Sequence, residues 1–172
     1  MALFWNRSAT PFKPLTFIVS KGGWNEMDKL DVGKPAPGFN LYDQQGKIRT
    51  PTDVPKLVLY FYPKDFTPGC TLQIGDFSKE YAAFRSKGFE IYGVSPDSVE
   101  SHKKFCDAHS APYPLLSDPD ATVAKQYGAW GNKGVFGEGV LRSTFVIQKG
   151  VLVQVHYRVN PLNHAHALLE SL

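Results

Sequence analysis

The fold is decided by the stretch LVLYFYPKDFTPGC, which spans residues 57–70. Its first six residues are all apolar and include β-branched and aromatic side chains, a pattern typical of a central strand that is buried on both faces. Pro63 is predicted to end this strand, because it has no backbone N–H to donate to a neighbouring strand. A helix is predicted over residues 68–86, because apolar side chains recur there with helical spacing at Phe77, Tyr81 and Phe84.

Outward from this stretch, the chain alternates between strand-like and helix-like segments. Further strands are predicted near residues 39–42, 89–94, 115–116, 143–147 and 151–155, and further helices at 98–109, 121–127 and 163–172. Ser98 or Asp97 can cap the second helix, and Asn163 the last one. This order predicts an α/β, thioredoxin-like fold, in which helices flank a central mixed sheet that ends in an antiparallel hairpin.

Composition limits the possible functions. The 172 residues suit one domain, and 42% hydrophobic with 20% charged residues is ordinary for a globular protein. The net charge of +3 is mild and the basic residues are scattered, so no nucleic-acid partner is expected. No apolar run approaches the roughly 18 residues that span a bilayer, so no membrane partner is expected.

The N-terminal segment differs from the rest. Residues 1–27 are predicted to be an extension, and residues 28–172 the domain. The first 25 residues hold three basic side chains and no acid, and their apolar patch at residues 15–19 is too short for a signal peptide. The extension is interpreted as a frayed end, as translated sequence ahead of a true start at Met27, or, less favoured, as a transit segment.

The cysteine count points to a reducing compartment. Cys70 and Cys106 are the only two cysteines, and neither a Cys-x-x-Cys pair nor a zinc-ligand pattern is present. A small secreted scaffold would carry more cysteines. The pair is therefore inert or catalytic. The cytoplasm is the expected location, with an organelle stroma as the alternative if the extension is a transit segment.

Several features near Cys70 favour a reactive thiolate. Cys70 lies at the predicted start of a helix, where the dipole and the unpaired N–H groups stabilise an anion. Thr67 offers a hydroxyl one turn earlier, and Pro63 and Pro68 stiffen the loop. Arg142, just before a predicted strand, is the best candidate for a charged donor at this site. Taken singly, Cys70 is as well explained as an inert core cysteine, and Arg142 as a surface ion-pair partner; their combination favours chemistry.

The segment FYPKDFTPGCT, residues 61–71, resembles the active-site segment of peroxiredoxins and matches their Pro-x-x-x-Thr-x-x-Cys motif in full. The version Tyr-Pro-Lys-x-x-Thr-Pro-Gly-Cys-Thr is similar to the bacterioferritin comigratory protein branch, also called Q-type peroxiredoxins. Segments 32–37, 127–131 and 141–145 agree with that branch. The resemblance covers roughly residues 30–172.

The resemblance implies a function for each candidate residue. Cys70 would be the peroxidatic cysteine, Thr67 and Arg142 would bind the peroxide and the thiolate, and Pro63 would shield the site. It implies reduction of hydrogen peroxide and organic hydroperoxides, with thioredoxin as the electron donor. It implies neither metal, haem nor flavin, so no cofactor is expected, and it favours a monomer.

One position departs from the common pattern. Many members carry a resolving cysteine five residues after the first, where this chain has Gly75. Cys106 lies 36 residues after Cys70, a spacing found in a subset of the branch, and it would form an intramolecular disulfide that thioredoxin reduces. A one-cysteine peroxidase with an external resolving thiol is the alternative. A non-enzymatic redox sensor and a thiol–disulfide oxidoreductase rank below both.

Overall fold

The computed structural model describes residues 29–172, so the predicted extension at residues 1–27 lies outside the described residues. Seven strands form the main sheet: β1 (Leu41–Asp43), β2 (Ile48–Arg49), β3 (Lys56–Phe61), β4 (Glu90–Ser95), β5 (Leu115–Ser117), β8 (Ser143–Gln148) and β9 (Val151–His156). A separate two-stranded hairpin consists of β6 (Trp130–Asn132) and β7 (Glu138–Val140). The helices are α1 (Pro68–Ser86), α2 (Val99–His109), α3 (Thr122–Gln126) and α4 (His164–Glu170), with short 3₁₀ turns at Pro119–Ala121 and Gly134–Phe136.

The sheet is mixed, as its strand order of β2-β1-β5-β4-β3-β8-β9 shows. Strand β4 runs parallel to both β3 and β5, whereas β8 runs antiparallel to β3 and to β9. The predicted α/β fold with a central mixed sheet and flanking helices is therefore confirmed. Within the described residues, none of the helices combines the length and the hydropathy that a bilayer span requires.

Strand β3 is the centre of the core, and its side chains alternate between two buried clusters. Leu57, Leu59 and Phe61 pack with α3 and the loops on one face. Val58 and Tyr60 point to the other face and pack beneath α1, α2 and α4. The continuous apolar run thus reflects a strand that is covered by helices on one side and by helix and loops on the other.

Two local expectations need correction. The predicted capping of α4 by Asn163 is wrong: its side chain makes no cap hydrogen bond, and its backbone is left-handed with a φ of 59°. The β6–β7 hairpin was not predicted, because its glycine-rich strands pair through backbone atoms and have little apolar alternation. Ser98, by contrast, does cap α2, since its hydroxyl accepts a hydrogen bond from the Ser101 N–H at 3.1 Å.

Candidate active site

The sheet brings the two ends of the candidate site together. In the antiparallel register of β3 and β8, Phe61 lies opposite Ser143. The residue after β3 and the residue before β8 therefore emerge at the same edge of the sheet, and these positions lead into Pro63 and Arg142. Two positions separated by 79 residues in sequence become neighbours because the strands that carry them are paired.

Cys70 lies at this edge, in the first turn of α1. Its side chain is almost fully buried, with 2% of the residue exposed. The Arg142 guanidinium donates from Nη2 to Cys70 Sγ at 3.3 Å and from Nη1 to Gln73 Oε1 at 2.5 Å. Because a guanidinium stays charged, this contact favours a negative sulfur.

Gly69 permits the close approach of Arg142. A Cβ atom at this position would lie 3.1 Å from Arg142 Nη2, which is tighter than ordinary van der Waals contact. The glycine of the motif therefore leaves room for the guanidinium beside the sulfur. A larger residue there would push Arg142 away from Cys70.

The start of α1 supplies backbone donors. Pro68 occupies the first turn, where its missing N–H costs no hydrogen bond. The N–H of Thr71 donates to the Thr67 carbonyl at 2.8 Å, whereas the N–H groups of Gly69 and Cys70 precede the first intrahelical bond. The first turn contains no acidic residue, so no carboxylate there opposes an anion at the site.

Thr67 and Pro63 lie on either side of the loop. The Thr67 hydroxyl donates to the Lys64 carbonyl at 2.8 Å and does not cap α1. Pro63 is half-buried and lines a cavity of about 400 Å³. The other lining residues come mainly from the β6–β7 hairpin and the start of β8, and are Asn132, Lys133, Gly134, Phe136, Val140, Leu141, Arg142, Arg158 and Val159.

Cys106 has a different environment. It lies on α2, is buried with 6% of the residue exposed, and borders a cavity of about 830 Å³ between α2 and the β1–β2 turn. Burial, followed by the negative charges of Asp65 and Asp107, raises the pKa of the Cys106 thiol to about 12. Both cysteines are free thiols in this structure. Of the predicted residues, the structure thus brings Cys70 and Arg142 into contact and keeps Cys106 on another helix.

Sequence reasoning missed two groups around Cys70. Gln73 is fully buried one turn after Cys70, and it orients Arg142 through Oε1 while its Nε2 has no partner among the described residues. Asp65, within the motif itself, forms a buried hydrogen-bonded pair with His102 on α2. The spacing of three residues between Cys70 and Gln73 was a signal for the first; nothing in the sequence paired Asp65 with His102.

Comparisons with known proteins match this site and fold. The profile of the AhpC/TSA family matches residues 32–156. A putative peroxiredoxin bcp of Helicobacter pylori is 45% identical over 152 residues, which cover 85% of this chain and 100% of that protein. The chloroplastic peroxiredoxin Q of Arabidopsis thaliana is 40% identical over 148 residues, which cover 84% of this chain and 68% of that protein.

Solved structures agree with the sequence relatives. A cysteine-to-serine mutant of Xylella fastidiosa PrxQ superposes with a TM-score of 0.79 at 31% identity, covering 83% of this chain and 94% of that one. Xanthomonas campestris peroxiredoxin Q superposes with a TM-score of 0.73 at 36% identity, covering 77% and 88%.

A thioredoxin-like sheet with this motif at the end of its central strand defines the class of thiol peroxidases, which are oxidoreductases. The chain belongs to the AhpC/TSA family, and its relatives carry the names of the bacterioferritin comigratory protein and peroxiredoxin Q branch. The resemblance of residues 61–71 to that branch is therefore confirmed.

Proposed function

We propose that Cys70 is the peroxidatic cysteine of a thioredoxin-dependent peroxidase and that Cys106 resolves it. The observation that carries the first part is the contact of Arg142 Nη2 with Cys70 Sγ at 3.3 Å, at the start of α1. A thiolate is the reactive form of cysteine, and a guanidinium together with a helix N-terminus stabilises it. Within the part of the chain that the structure describes, Cys70 is the cysteine with such a partner.

In the first step, the Cys70 thiolate attacks one oxygen of the peroxide. An S–O bond forms, the O–O bond breaks, and the sulfur is oxidised to a sulfenic acid while the distal oxygen leaves as hydroxide or alkoxide and takes up a proton. Arg142 and the N–H groups of Gly69 and Cys70 would donate to the oxygen that gains charge. Pro63 would limit the access of water.

Thr67 has a narrower role in this proposal than a general peroxide ligand. Its hydroxyl proton is already donated to the Lys64 carbonyl. A hydroxyl has one donor and two acceptor positions, so the Thr67 oxygen can still accept a hydrogen bond. We assign Thr67 the O–H of the incoming hydroperoxide, an interaction that holds the OH-bearing oxygen in position for attack by Cys70.

In the second step, the Cys106 thiol attacks the Cys70 sulfenic acid, forming a disulfide and releasing water. Two Xanthomonas campestris peroxiredoxin Q structures each carry serine in place of a cysteine, at positions 36 residues apart, which is the spacing of Cys70 and Cys106. A disulfide requires Cα atoms about 4.4–6.8 Å apart. The second step therefore requires Cys70 and Cys106 to come within this range of each other.

Thioredoxin would then reduce the disulfide by exchange, returning both thiols while its own pair becomes oxidised. We propose hydrogen peroxide and organic hydroperoxides as substrates, since a structural neighbour, the bacterioferritin comigratory protein of Xanthomonas campestris, has alkyl peroxide reduction activity. We further propose that the protein works as a monomer, because both cysteines of the cycle belong to one chain. A sedimentation experiment on the reduced and oxidised protein tests the last point.

The test is turnover with thioredoxin, its reductase and peroxide for the wild type, Cys70→Ser and Cys106→Ser. We expect Cys70→Ser to lose activity by roughly a thousandfold or more, since serine is not a comparable nucleophile at neutral pH. Cys106→Ser should still react once with peroxide and then accumulate sulfenic or sulfinic acid. Retained turnover in Cys70→Ser would overturn the proposal. Full thioredoxin-dependent turnover in Cys106→Ser would favour the one-cysteine mechanism. A wild-type protein that reacts only once would instead favour a redox sensor.

A further inference from the structure

The loop that leads to Cys70 carries a buried carboxylate. Asp65 is 4% exposed, and both of its oxygens are occupied. Oδ1 accepts from the Tyr62 hydroxyl at 2.6 Å, and Oδ2 lies 2.8 Å from both the Ser101 hydroxyl and His102 Nδ1. Ser101 and His102 belong to α2, so this one side chain ties the Cys70 loop to the helix of Cys106.

His102 is the partner of Asp65 on α2. It is fully buried, and its Nε2 lies 3.0 Å from the Leu116 carbonyl oxygen. Both ring nitrogens of His102 therefore have a buried oxygen within hydrogen-bond distance, Asp65 Oδ2 on one side and the Leu116 carbonyl on the other. A buried hydrogen-bonded pair resists separation, because each polar group left in the interior without its partner is strongly destabilised.

Two further contacts hold the same junction. The Asp65 N–H donates to Asp97 Oδ2 at 2.9 Å, immediately before the cap of α2. The ring of Phe66 packs on Phe105 with centroids 5.0 Å apart, although Phe66 must adopt a φ of 63° that is unfavourable for a residue with a Cβ atom. The loop is thus held against α2 in a conformation that it would not adopt alone.

The position of His102 on α2 links these contacts to Cys106. Cys106 follows His102 by four residues, so the two side chains lie one above the other on the same face of α2. Whatever holds His102 in the core also holds Cys106 there. The junction therefore links the burial of one cysteine to the loop geometry of the other.

We propose that the Asp65–His102 pair is a latch that keeps Cys106 buried and must open before Cys106 can reach Cys70. The disulfide part of this statement rests on the proposed function; the burial of Cys106 does not. After peroxide attack, the Cys70 sulfenic acid has two fates: attack by Cys106 forms the disulfide and releases water, whereas a second peroxide oxidises it to sulfinic acid and is itself reduced to water or an alcohol. A tighter latch favours the second fate, and a weaker latch favours the first.

The first experiment measures the rate at which iodoacetamide alkylates Cys106 in the Cys70→Ser protein. His102→Gln removes the donor to Asp65, whereas His102→Asn places an amide nitrogen near the position of Nδ1 and keeps it. Both variants leave the Asp65 side chain in place, so any acceleration cannot come from removing a carboxyl group near the thiol. We expect His102→Gln to accelerate alkylation at least fivefold and His102→Asn to restore most of the protection.

A matched pair of tyrosine variants provides the milder test and the control. Tyr62→Phe removes the hydroxyl that donates to Asp65. Tyr127→Phe removes a buried hydroxyl that donates to the Pro37 carbonyl at 2.7 Å, in the cluster on the opposite face of the sheet. The chemical change is identical, so a general loss of stability moves both. We expect faster alkylation only in Tyr62→Phe, a result that stands even if His102→Gln fails to fold.

The second experiment uses proteins with both cysteines. We expect His102→Gln and Tyr62→Phe to form the disulfide faster and to yield less sulfinic acid at a given peroxide concentration than Tyr127→Phe. Alkylation no faster in the latch variants than in Tyr127→Phe would overturn the latch. If alkylation responds as expected but the wild type forms no Cys70–Cys106 disulfide, the resolving role fails and the latch on Cys106 stands.

Discussion

The surroundings of the two cysteines differ in almost every respect except burial. Cys70 lies in the first turn of α1, beside a guanidinium and among the N–H groups that precede the first intrahelical bond. Cys106 lies within α2, and burial together with nearby carboxylates raises its thiol pKa to about 12. A guanidinium therefore lies beside the Cys70 sulfur, whereas carboxylates lie near the Cys106 sulfur.

This difference teaches that burial alone does not decide reactivity. A buried sulfur reacts readily where fixed donors replace the water it has lost, and it stays inert where nothing does. In the proposed cycle, this difference would separate the two chemical steps. Cys70 would react in the folded state, whereas Cys106 would react only after α2 releases it.

The largest expected effect comes from removing the charged donor beside Cys70. Arg142→Ala should slow the reaction of Cys70 with peroxide by about 10²–10³-fold, since loss of one preorganised donor costs that much at comparable sites. Arg142→Lys should recover only part of the rate, because an ammonium lacks the planar fork by which two guanidinium nitrogens contact Cys70 and Gln73 separately. Stopped-flow measurement of sulfenic acid formation checks both values.

The matched control for Arg142→Lys is Arg85→Lys, which makes the same change on α1, at a half-exposed side chain paired with Glu90. Its rate should equal that of the wild type. Equal rates in Arg142→Lys and the wild type would mean that charge alone, without the bond to Gln73, prepares Cys70, and the comparison of the two cysteines would then reduce to simple electrostatics.

The sequence predicted the parts of this comparison that local pattern controls. The apolar run at residues 57–62 predicted β3, and the prolines with Cys70 predicted the start of α1, because both depend on neighbouring residues. The contact of Asp65 with His102 could not be predicted, since it joins residues 37 apart through a tertiary network. Gln73 was missed because an amide on a helix face is ordinarily solvent-exposed, and only the fold buries it.

The second prediction concerns the pH dependence of disulfide formation. In the proposed second step the attacking species would be the Cys106 thiolate, whose fraction rises tenfold per pH unit below the thiol pKa. If Cys106 attacked from its buried position, the rate would keep climbing towards its pKa of about 12. If α2 releases it first, the pKa returns to about 8.5. We expect the second behaviour: about a fiftyfold increase between roughly pH 6.5 and 8.5, then a plateau.

Rapid quenching with an alkylating reagent, followed by mass spectrometry, measures this rate, and Cys106→Ser provides the blank. A rate that continued to rise tenfold per unit up to about pH 10 would show that Cys106 reacts without leaving its buried environment. The difference between Cys70 and Cys106 would then be one of thiol ionisation alone, without any movement of α2.

The smallest effect separates the two causes that keep Cys106 protonated. Burial is the larger cause of its raised pKa, and the charge of Asp107 a lesser one. Since Asp107 is exposed, its field is screened by solvent and salt, and Asp107→Asn should speed alkylation of Cys106 in the Cys70→Ser protein by less than about twofold. The difference should vanish at about 1 M salt, where the screening length is near 3 Å.

Glu100→Gln, which alters an exposed carboxylate in the first turn of the same helix, is the matched control and should leave the rate unchanged. An increase of tenfold or more in Asp107→Asn would assign the inertness of Cys106 to charge, and the contrast with Cys70 would then be one between a cation and an anion beside the sulfur.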